Sequence, residues 1–329
     1  MLKVGLIGCG GMGSVHATVW SEMTDKAELV AVADLNQEKW QKFADKLGAK
    51  FYTDAYDMME NEELDVVDIC TPTVTHAVFA INATKHVKHI IVEKPICLYD
   101  EEAELLLKAQ KETGATIHVA HVSRFTSECR YIKRLIDTGV YGKVVTANFH
   151  RVSPDPAWVV DHNNPAKTGG MAMDLHIHDV DFVRYIMGGD PDGLNSTVHK
   201  RADGTVDHVW AGYRYGDAIL STECSWDYPL SMPFNKGARV RFEKATVIYA
   251  SNMRLTVYPE DGDAFNPELE VTETRNLGIN VTNYGDFVRE LNCFADAITD
   301  GKKKSPVPLS DAIGAMRLIR RELNEAKLQ

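Results

Sequence analysis

The sequence predicts an α/β protein in which an N-terminal doubly wound parallel sheet is followed by a C-terminal α+β domain with an open, mostly antiparallel sheet. Strand-like and helical segments alternate from Lys3 to about Val119, as they do in a parallel sheet with crossover helices. Between Asn195 and Tyr258, strand-like runs follow one another too closely for such crossovers, which favours antiparallel pairing. We therefore expect two domains, over residues 1–121 and 122–329.

The composition is that of a globular protein in water. The chain has 329 residues and a net charge of −11, which argues against binding to nucleic acid or to an anionic membrane. The first strand begins at Lys3, which leaves no room for a signal peptide, and no apolar run approaches the length of a membrane span. Six cysteines lie far apart without a C-x-x-C pattern, which is typical of a reduced, cytoplasmic protein.

The first half of the chain follows the alternating pattern element by element. Asn36 can cap the second helix and Gly48 can end it. The strand-like runs are Lys3–Ile7, Leu29–Ala33, Lys50–Tyr52, Val66–Cys70, His89–Val92 and Thr116–Val119. The predicted helices are Ser14–Met23, Asn36–Leu47, Tyr56–Met59, Thr75–Lys85 and Asp100–Thr113.

The second half has fewer helices and more strands. Helices are predicted over Tyr131–Asp137, after Gly169-Gly170, and near the end over Tyr284–Thr299 and Ser310–Lys327. The strand-like runs are Val144–Val152, Asn195–Arg201, Val206–Tyr215, Ala218–Trp226, Arg239–Glu243, Thr246–Ala250 and Arg254–Tyr258.

A glycine-rich turn joins the first strand to the first helix. Gly8 would allow the tight turn, Gly10 would let a pyrophosphate approach the backbone, and Gly13 would let the helix pack closely on the strand. The N–H groups at the helix start suit a phosphate. A purely structural turn is the alternative. The stretch reads Gly8, Cys9, Gly10, Gly11, Met12 and Gly13, which fits G-x-G-x-x-G between a strand and a helix.

An acidic residue at the end of the second strand completes a dinucleotide site of the Rossmann type. Asp34 stands 21 residues after Gly13, where a carboxylate should hold the ribose hydroxyls. Neither Leu35 nor Asn36 supplies a positive charge for a 2′-phosphate. The sequence therefore predicts NAD as the cofactor rather than NADP.

Other polar residues also fall at the carboxyl ends of predicted parallel strands, where doubly wound sheets bind their ligands. Thr71-Pro72 breaks the fourth strand, and Glu93-Lys94-Pro95 ends the fifth. A lysine in this place can present a positive charge to a reacting oxygen. The alternative is an ordinary surface lysine after a strand.

The helix after Gly169-Gly170 carries a second set of chemical groups. Asp174 and His178 are four residues apart and share a helix face, which suits a proton relay. A polar face on which Asp174 only caps the helix is the alternative. His176, His178 and Asp179 also resemble a metal cluster, but on a helix the two imidazoles point about 200° apart. We therefore expect no metal.

Together these motifs resemble the glucose–fructose oxidoreductase / inositol dehydrogenase / rhizopine-catabolism (Gfo/Idh/MocA) family over nearly the whole chain. The resemblance implies a Rossmann domain, a second domain with an open, mostly antiparallel sheet, NAD(H) or NADP(H), and a polyol or sugar substrate. It also implies that Lys94, Asp174 and His178 form the catalytic group, as in the inositol dehydrogenase branch. Other members often have a small or apolar residue in place of His176. The matching residues are Gly8–Gly13, Asp34, Thr71-Pro72 with His76, Glu93-Lys94-Pro95, His121 with Arg124-Phe125, and Gly169-Gly170 leading to Asp174, His178 and Asp181.

The sequence and this resemblance predict an NAD-dependent dehydrogenase of a secondary alcohol on a cyclic polyol or sugar. His178 would remove the hydroxyl proton, Lys94 would stabilise the developing alkoxide, and Asp174 would orient the histidine or the substrate. The predicted cofactor contacts are Gly8, Gly10, Gly11, Met12, Gly13, Asp34, Leu35, Thr71, Pro72, His76, Glu93, Lys94 and Arg124. The predicted substrate contacts are Lys94, Arg124, Trp158, Asp161, Asn163, Asp174, His178 and Tyr213.

Two other functions stay open at this point. A glycosidase-type enzyme would recycle tightly bound NAD within each turnover, and a non-catalytic sensor would bind the dinucleotide without a proton relay. The presence of Lys94, Asp174 and His178 argues against the sensor. An exposed sheet face is a natural assembly surface, so we also expect a homo-oligomer, either a dimer or a tetramer, located in the cytoplasm.

Overall fold

The protein is described by a computed structural model that covers residues 1–157, 161, 164–271, 273–275, 283–301 and 304–326. It divides into two compact units. The first joins Met1–Phe125 to Thr272–Ile313, and the second joins Thr126–Val271 to Gly314–Gln329. The sequence assigned residues 122–329 to one domain, and that division stays a prediction. In the structure, Thr272–Ile313 belongs to the first compact unit instead. The reason is that the helix that begins at Tyr284 packs on the helix that follows the glycine-rich turn.

The first 125 residues alternate between strand and helix throughout. The strands are β1 (Leu2–Ile7), β2 (Ala27–Ala33), β3 (Lys50–Tyr52), β4 (Val66–Ile69), β5 (His89–Glu93) and β6 (Thr116–Ala120). The helices are α1 (Gly11–Glu22), α2 (Gln37–Leu47), α3 (Ala55–Asn61), α4 (Thr73–Ala83) and α5 (Asp100–Thr113), and a 3₁₀ turn over Val122–Phe125 follows them.

The rest of the chain is richer in strands. Its helices are α6 (Ser127–Thr138), α7 (Pro165–Thr168), a π-helical turn over Ala172–His176 that continues into α8 (Ile177–Met187), α9 (Tyr284–Asp300) and α10 (Leu309–Glu325). Its strands are β7 (Val144–Pro154), β8 (Gly193–Lys200), β9 (Val206–Tyr215), β10 (Ala218–Tyr228), β11 (Asn235–Phe242), β12 (Ala245–Ala250) and β13 (Met253–Pro259). Among the helices in the described part of the chain, none combines the length and the apolar character that a membrane crossing requires.

The first unit contains the predicted parallel sheet. Its six strands are ordered β3-β2-β1-β4-β5-β6, and every neighbouring pair is parallel. All four residues of β4 are buried, as a strand with both faces covered requires. The strand order reverses between β1 and β4, and ligands of such sheets bind at the carboxyl ends of the strands on either side of this point. The predicted doubly wound fold is confirmed.

The second unit contains the predicted antiparallel sheet. Its seven strands are ordered β13-β12-β11-β7-β10-β9-β8, and only β7 and β10 pair in parallel. The π-helical turn and α8 pack against β10, and α8 also packs against β7. Side chains from one face of the sheet are exposed, among them Trp210, Ile219 and Tyr258. This confirms the fold class for the second half of the chain.

Candidate functional site

The glycine-rich turn closes tightly between β1 and α1. Gly8 has a φ of 91°, and a Cβ atom there would lie 2.8 Å from the main-chain oxygen of Cys70. A Cβ on Gly13 would lie 1.7 Å from the main-chain oxygen of Gly8, so any larger residue would push α1 away from the strand end. Above Gly10, in contrast, the described residues beyond its chain neighbours place no atom within 4 Å of the Cβ position. The turn therefore fits a pyrophosphate at the start of α1.

The Asp34 carboxylate is held by a main-chain N–H group at each of its oxygens. Oδ2 accepts a hydrogen bond from Cys9 N at 2.8 Å, and Oδ1 accepts one from Asn36 N at 2.9 Å. Each carboxylate oxygen can accept a second hydrogen bond, so the group also fits the ribose hydroxyls of a dinucleotide. The neighbouring Leu35 side chain is 94% exposed and brings no charge to the site.

His76, on α4, connects two of the segments that follow strand ends. Its Nδ1 lies 2.8 Å from the main-chain oxygen of Pro95, and its Nε2 lies 2.8 Å from that of Thr71. Burial lowers the pKa of His76, so the ring is neutral at pH 7 and donates to one carbonyl at a time. The bridge ties the turn after β4 to the segment after β5. Contact between His76 and the cofactor stays a prediction.

Lys94 follows β5 directly, and its side chain is partly exposed. The peptide bond from Lys94 to Pro95 is cis. The main-chain N–H of Lys94 donates to Oε2 of Glu93 at 3.0 Å. Glu93 itself is only 6% exposed, so its carboxylate is used inside the first unit. The predicted contact of Glu93 with the cofactor stays a prediction.

A cluster of buried titratable side chains lies behind these segments, and the sequence analysis missed it. His16 on α1 lies with Nδ1 2.9 Å from Oδ2 of Asp68 and with Nε2 3.2 Å from Oε1 of Glu93. Trp20 Nε1 donates to the same oxygen of Asp68 at 2.7 Å. Glu290 on α9 is also fully buried, and its carboxyl group has no hydrogen-bond partner in the described part of the chain. Asp68 was the available signal, because a charged residue in a buried strand requires a partner.

Arg124 is bonded within the first unit. Its side chain is 3% exposed, and Nη1 donates to the main-chain oxygen of Pro306 at 3.2 Å and to Oδ2 of Asp311 at 3.1 Å. These bonds tie the 3₁₀ turn to the start of α10. The predicted contacts of Arg124 with cofactor and substrate therefore stay predictions, beside a structural role that the sequence did not indicate.

Asp174 and His178 lie on successive turns of one helical segment in the second unit. Asp174 belongs to the π-helical turn, His178 belongs to the first turn of α8, and both side chains are half-buried. The sequence predicted a regular α-helix here. A π-helix has hydrogen bonds between residues five apart, and an α-helix has them between residues four apart. The side-chain pattern of a single turn is too short to distinguish the two, so the sequence could not predict the wider turn. π-Helical turns are rare and are frequent at functional sites.

His176, whose role the sequence left open, points into the core of the second unit. It is fully buried, and its Nε2 lies 2.9 Å from Oε2 of Glu322. Tyr213 shares this partner, because its hydroxyl donates to Oε1 of Glu322 at 2.7 Å and lies 2.9 Å from Oγ1 of Thr222. His176 and Tyr213 thus belong to one buried network. The predicted contact of Tyr213 with substrate stays a prediction.

Of the three predicted substrate contacts between β7 and α7, the structure describes one. Asp161 is exposed, has a φ of 60°, and accepts a hydrogen bond from Lys167 Nζ at 2.9 Å. Trp158 and Asn163 lie outside the described residues. Asp179 is buried and pairs with Arg151 at 2.9 Å. Two residues of the possible metal cluster, His176 and Asp179, are therefore bonded to different partners.

Comparison with known proteins identifies the family. Residues 2–121 match the oxidoreductase family with an NAD-binding Rossmann fold, and residues 129–263 match the Gfo/Idh/MocA C-terminal domain. The scyllo-inositol 2-dehydrogenase (NAD(+)) of Bacillus subtilis is 34% identical over 92% of this chain and 87% of its own length. The chain belongs to the Gfo/Idh/MocA family.

Other relatives align over almost the same length. The myo-inositol 2-dehydrogenase of Thermotoga maritima is 25% identical over 97% of this chain and 93% of its own. Levoglucosan dehydrogenase, solved with NADH and levoglucosan, has a TM-score of 0.84 over 99% of this chain and 97% of its own, at 22% identity, and so supports the fold. The predicted family and cofactor class are confirmed: this member of the Gfo/Idh/MocA family is an NAD-binding oxidoreductase.

Proposed function

We propose that the protein is an NAD-dependent dehydrogenase that oxidises a secondary alcohol of an inositol-like cyclic polyol or a sugar. One observation carries the proposal. The chain aligns over 92% of its length with an inositol dehydrogenase and also has Lys94, Asp174 and His178, the group that the sequence predicted to be catalytic. Because the relatives reported above are named as dehydrogenases, they favour net oxidation over the glycosidase-type alternative.

The cofactor would be held by the first unit. When bound, NAD supplies the hydride acceptor. The open position above Gly10 and the N–H groups at the start of α1 suit its pyrophosphate, and the Asp34 carboxylate suits its ribose hydroxyls. The residues proposed to line this site are Gly8, Gly10, Gly11, Met12, Gly13, Asp34, Leu35, Thr71, Pro72, His76, Glu93, Lys94 and Arg124.

Three side chains would carry the acid–base and electrostatic chemistry. The Nδ1 atom of His178 is buried, so we assign the uptake of the substrate's hydroxyl proton to Nε2. The ammonium group of Lys94 would stabilise the negative charge on the alcohol oxygen, and the Asp174 carboxylate would orient His178 or a substrate hydroxyl. We propose Arg124, Trp158, Asp161, Asn163 and Tyr213 as further substrate contacts.

A screen with the purified protein tests this proposal. Myo-inositol, scyllo-inositol and a panel of sugars are each incubated with NAD, and NADH absorbance in solution is followed. We expect NADH to accumulate in step with the oxidised product, and Lys94→Ala to suppress it. Cleavage of a glycoside without NADH release would replace the proposal with the glycosidase-type reaction. Binding of NAD without turnover of any compound would replace it with the sensor.

We also propose a homo-oligomer, a dimer or a tetramer, that assembles through the exposed face of the second sheet. Trp210 is 43% exposed, Ile219 is 63% exposed and Tyr258 is 44% exposed, and the strand register puts the three on one face. Light scattering should find an oligomer that Ile219→Lys dissociates, whereas Leu230→Lys, at an exposed loop position, should not dissociate it. A monomeric wild type would contradict this. Five buried cysteines among six free ones support a cytoplasmic location.

A further inference from the structure

His16 lies between two carboxylates in the interior of the first unit. Nδ1 faces Oδ2 of Asp68 from β4 at 2.9 Å, and Nε2 lies 3.2 Å from Oε1 of Glu93 from β5. The side chains of His16 and Asp68 are fully buried, and that of Glu93 is 8% exposed. A neutral imidazole has one N–H and can donate on one side only. Nδ1 is hydrogen-bonded to Asp68, whereas Nε2 has no hydrogen bond in the described part of the chain and lies within ion-pair distance of Glu93. Two carboxylates beside one ring favour its doubly protonated, positively charged form.

The other groups around this ring support the same charge state. Burial raises the pKa of the Cys70 thiol, which keeps it protonated 3.4 Å from Nδ1 of His16. Burial and the charge of Glu93 raise the pKa of Glu290 well above 4.5, which favours the uncharged form of this carboxyl group. Asp286 lies on α9, as Glu290 does, and forms an ion pair with Arg289. Burial by itself lowers the pKa of His16, whereas the Asp68 carboxylate at Nδ1 opposes burial and shifts the pKa upward from its ordinary value.

The Glu93 carboxylate links this ring to Lys94. While Oε1 faces His16, Oε2 accepts the main-chain N–H of Lys94 at 3.0 Å. The carboxylate therefore connects the His16 ring to the main chain of Lys94. Because His16 lies on α1, one turn beyond Gly13, the same contact joins the helix of the glycine-rich turn to the lysine segment.

We propose that His16 is a positioning residue for Lys94: as an imidazolium between Asp68 and Glu93, it holds the Glu93 carboxylate in the orientation that fixes the main chain of Lys94. The inference deepens the proposed function, because it assumes that Lys94 acts on the substrate oxygen. Without the positive charge, two buried carboxylates face each other with no cation between them, and Glu93 turns or takes up a proton. Either change releases the Lys94 N–H.

The charge of His16 can be measured without any reaction. In ¹⁵N-histidine-labelled wild-type protein, the ring signals of His16 are assigned by their absence in His16→Gln. We expect both ring nitrogens to carry protons at pH 8, where an ordinary exposed histidine is neutral. A neutral ring at pH 7 would overturn the inference, whatever the enzymatic activity turns out to be.

The effect on Lys94 is measured by kinetics with three variants and a control. His16→Gln should lower kcat about 10- to 100-fold, the range that misplacement of a catalytic group costs, while the Kd for NAD changes less than about threefold. His16→Gln combined with Glu93→Gln should recover part of this loss, because no unpaired Glu93 carboxylate remains. Glu93→Gln alone should lower kcat, because its amide cannot form the ion pair.

His118→Gln is the matched control. His118 is another buried histidine of the first unit, on β6, and its Nδ1 lies 2.8 Å from Oγ of Ser305. This variant should lose thermal stability but keep the kcat of the folded protein. If His16→Gln behaves in the same way, with normal kcat, His16 is only structural and the inference fails. If the wild type turns over none of the tested alcohols, the proposed function fails, while the ¹⁵N measurement still decides the charge of His16.

Discussion

The main-chain N–H of Cys9 donates a 2.8 Å hydrogen bond to Oδ2 of Asp34. The second residue of the glycine-rich turn and the acid after β2 are therefore joined before any ligand binds. Because the other oxygen accepts from Asn36 N at 2.9 Å, the carboxylate is fixed at both ends. The two parts of the proposed cofactor site, one for the pyrophosphate and one for the ribose, are therefore joined by these hydrogen bonds.

Cofactor choice follows from the Asp34 charge. The carboxylate repels a 2′-phosphate, so kcat/KM should favour NAD over NADP by at least about tenfold, or about 1.4 kcal/mol. Asp34→Asn should bring the ratio towards one and weaken NAD binding, because an amide can accept only one of the two N–H bonds. Glu38→Gln removes an equivalent exposed charge at the start of α2 and should leave the ratio unchanged. Equal use of both cofactors by the wild type would contradict the prediction.

Loss of the Lys94 ammonium group should affect the chemical step. Lys94→Ala should lower kcat and kcat/KM by about 10²–10³, as for removal of one electrostatic stabiliser, with little change in the Kd for NAD. Lys88→Ala is the control, because Lys88 is an exposed lysine just before the other end of β5. Normal turnover of Lys94→Ala at saturating substrate would show that the lysine does not stabilise the alkoxide.

The pH profile tests His178 as the base. Alcohol oxidation requires neutral imidazole, so kcat/KM should rise with pH as the ring loses its proton. His178→Asn keeps a similar size but accepts no proton, so it should lower the rate and flatten the acidic limb. Asp174→Asn should also lower the rate. His199→Asn, at an exposed histidine of β8, is the control; His176 is unsuitable because it is buried against Glu322. An unchanged profile in His178→Asn would make Lys94 the better candidate for the base.

Glu290 should make the protein less stable as the pH rises. Its pKa in the folded protein is raised well above 4.5 by burial, so above pH 4.5 the unfolded chain releases this proton while the folded protein keeps it. The free energy of unfolding then falls by up to about 1.4 kcal/mol per pH unit until the folded pKa is passed. The difference in Tm between Glu290→Gln and the wild type should therefore shift in favour of the variant as the pH increases above 4.5.

Thermal unfolding at several pH values checks this, with Glu112→Gln as the control at an exposed glutamate of α5. A constant offset in Tm for Glu290→Gln is expected from any change of side-chain packing. Only the dependence of that offset on pH reports the buried carboxyl group. An offset that does not vary with pH would mean that Glu290 is not held protonated.

The sequence by itself predicted the features that depend on neighbouring residues. Strand and helix alternation correctly predicted the parallel sheet. The spacing from Gly13 to Asp34 predicted a dinucleotide site, because one strand–helix–strand unit brings the two together, and the hydrogen bond from Cys9 to Asp34 is consistent with that prediction. The helical placement of His178 also followed from local periodicity, although the π-helical turn before it did not. Such features are predictable because the residues that form them lie within a few turns or one crossover of each other.

Tertiary structure alone decided which partners the buried polar groups received. His16 meets Asp68 from 52 residues away, His176 meets Glu322 from 146 residues away, and Arg124 meets Asp311 from 187 residues away. Each of these groups could have been an exposed or a ligand-binding residue by its type and local pattern. Burial makes a partner obligatory but does not specify which one, because the desolvation cost is offset by any well-placed opposite charge or hydrogen bond. Only the packing of distant elements supplies that choice.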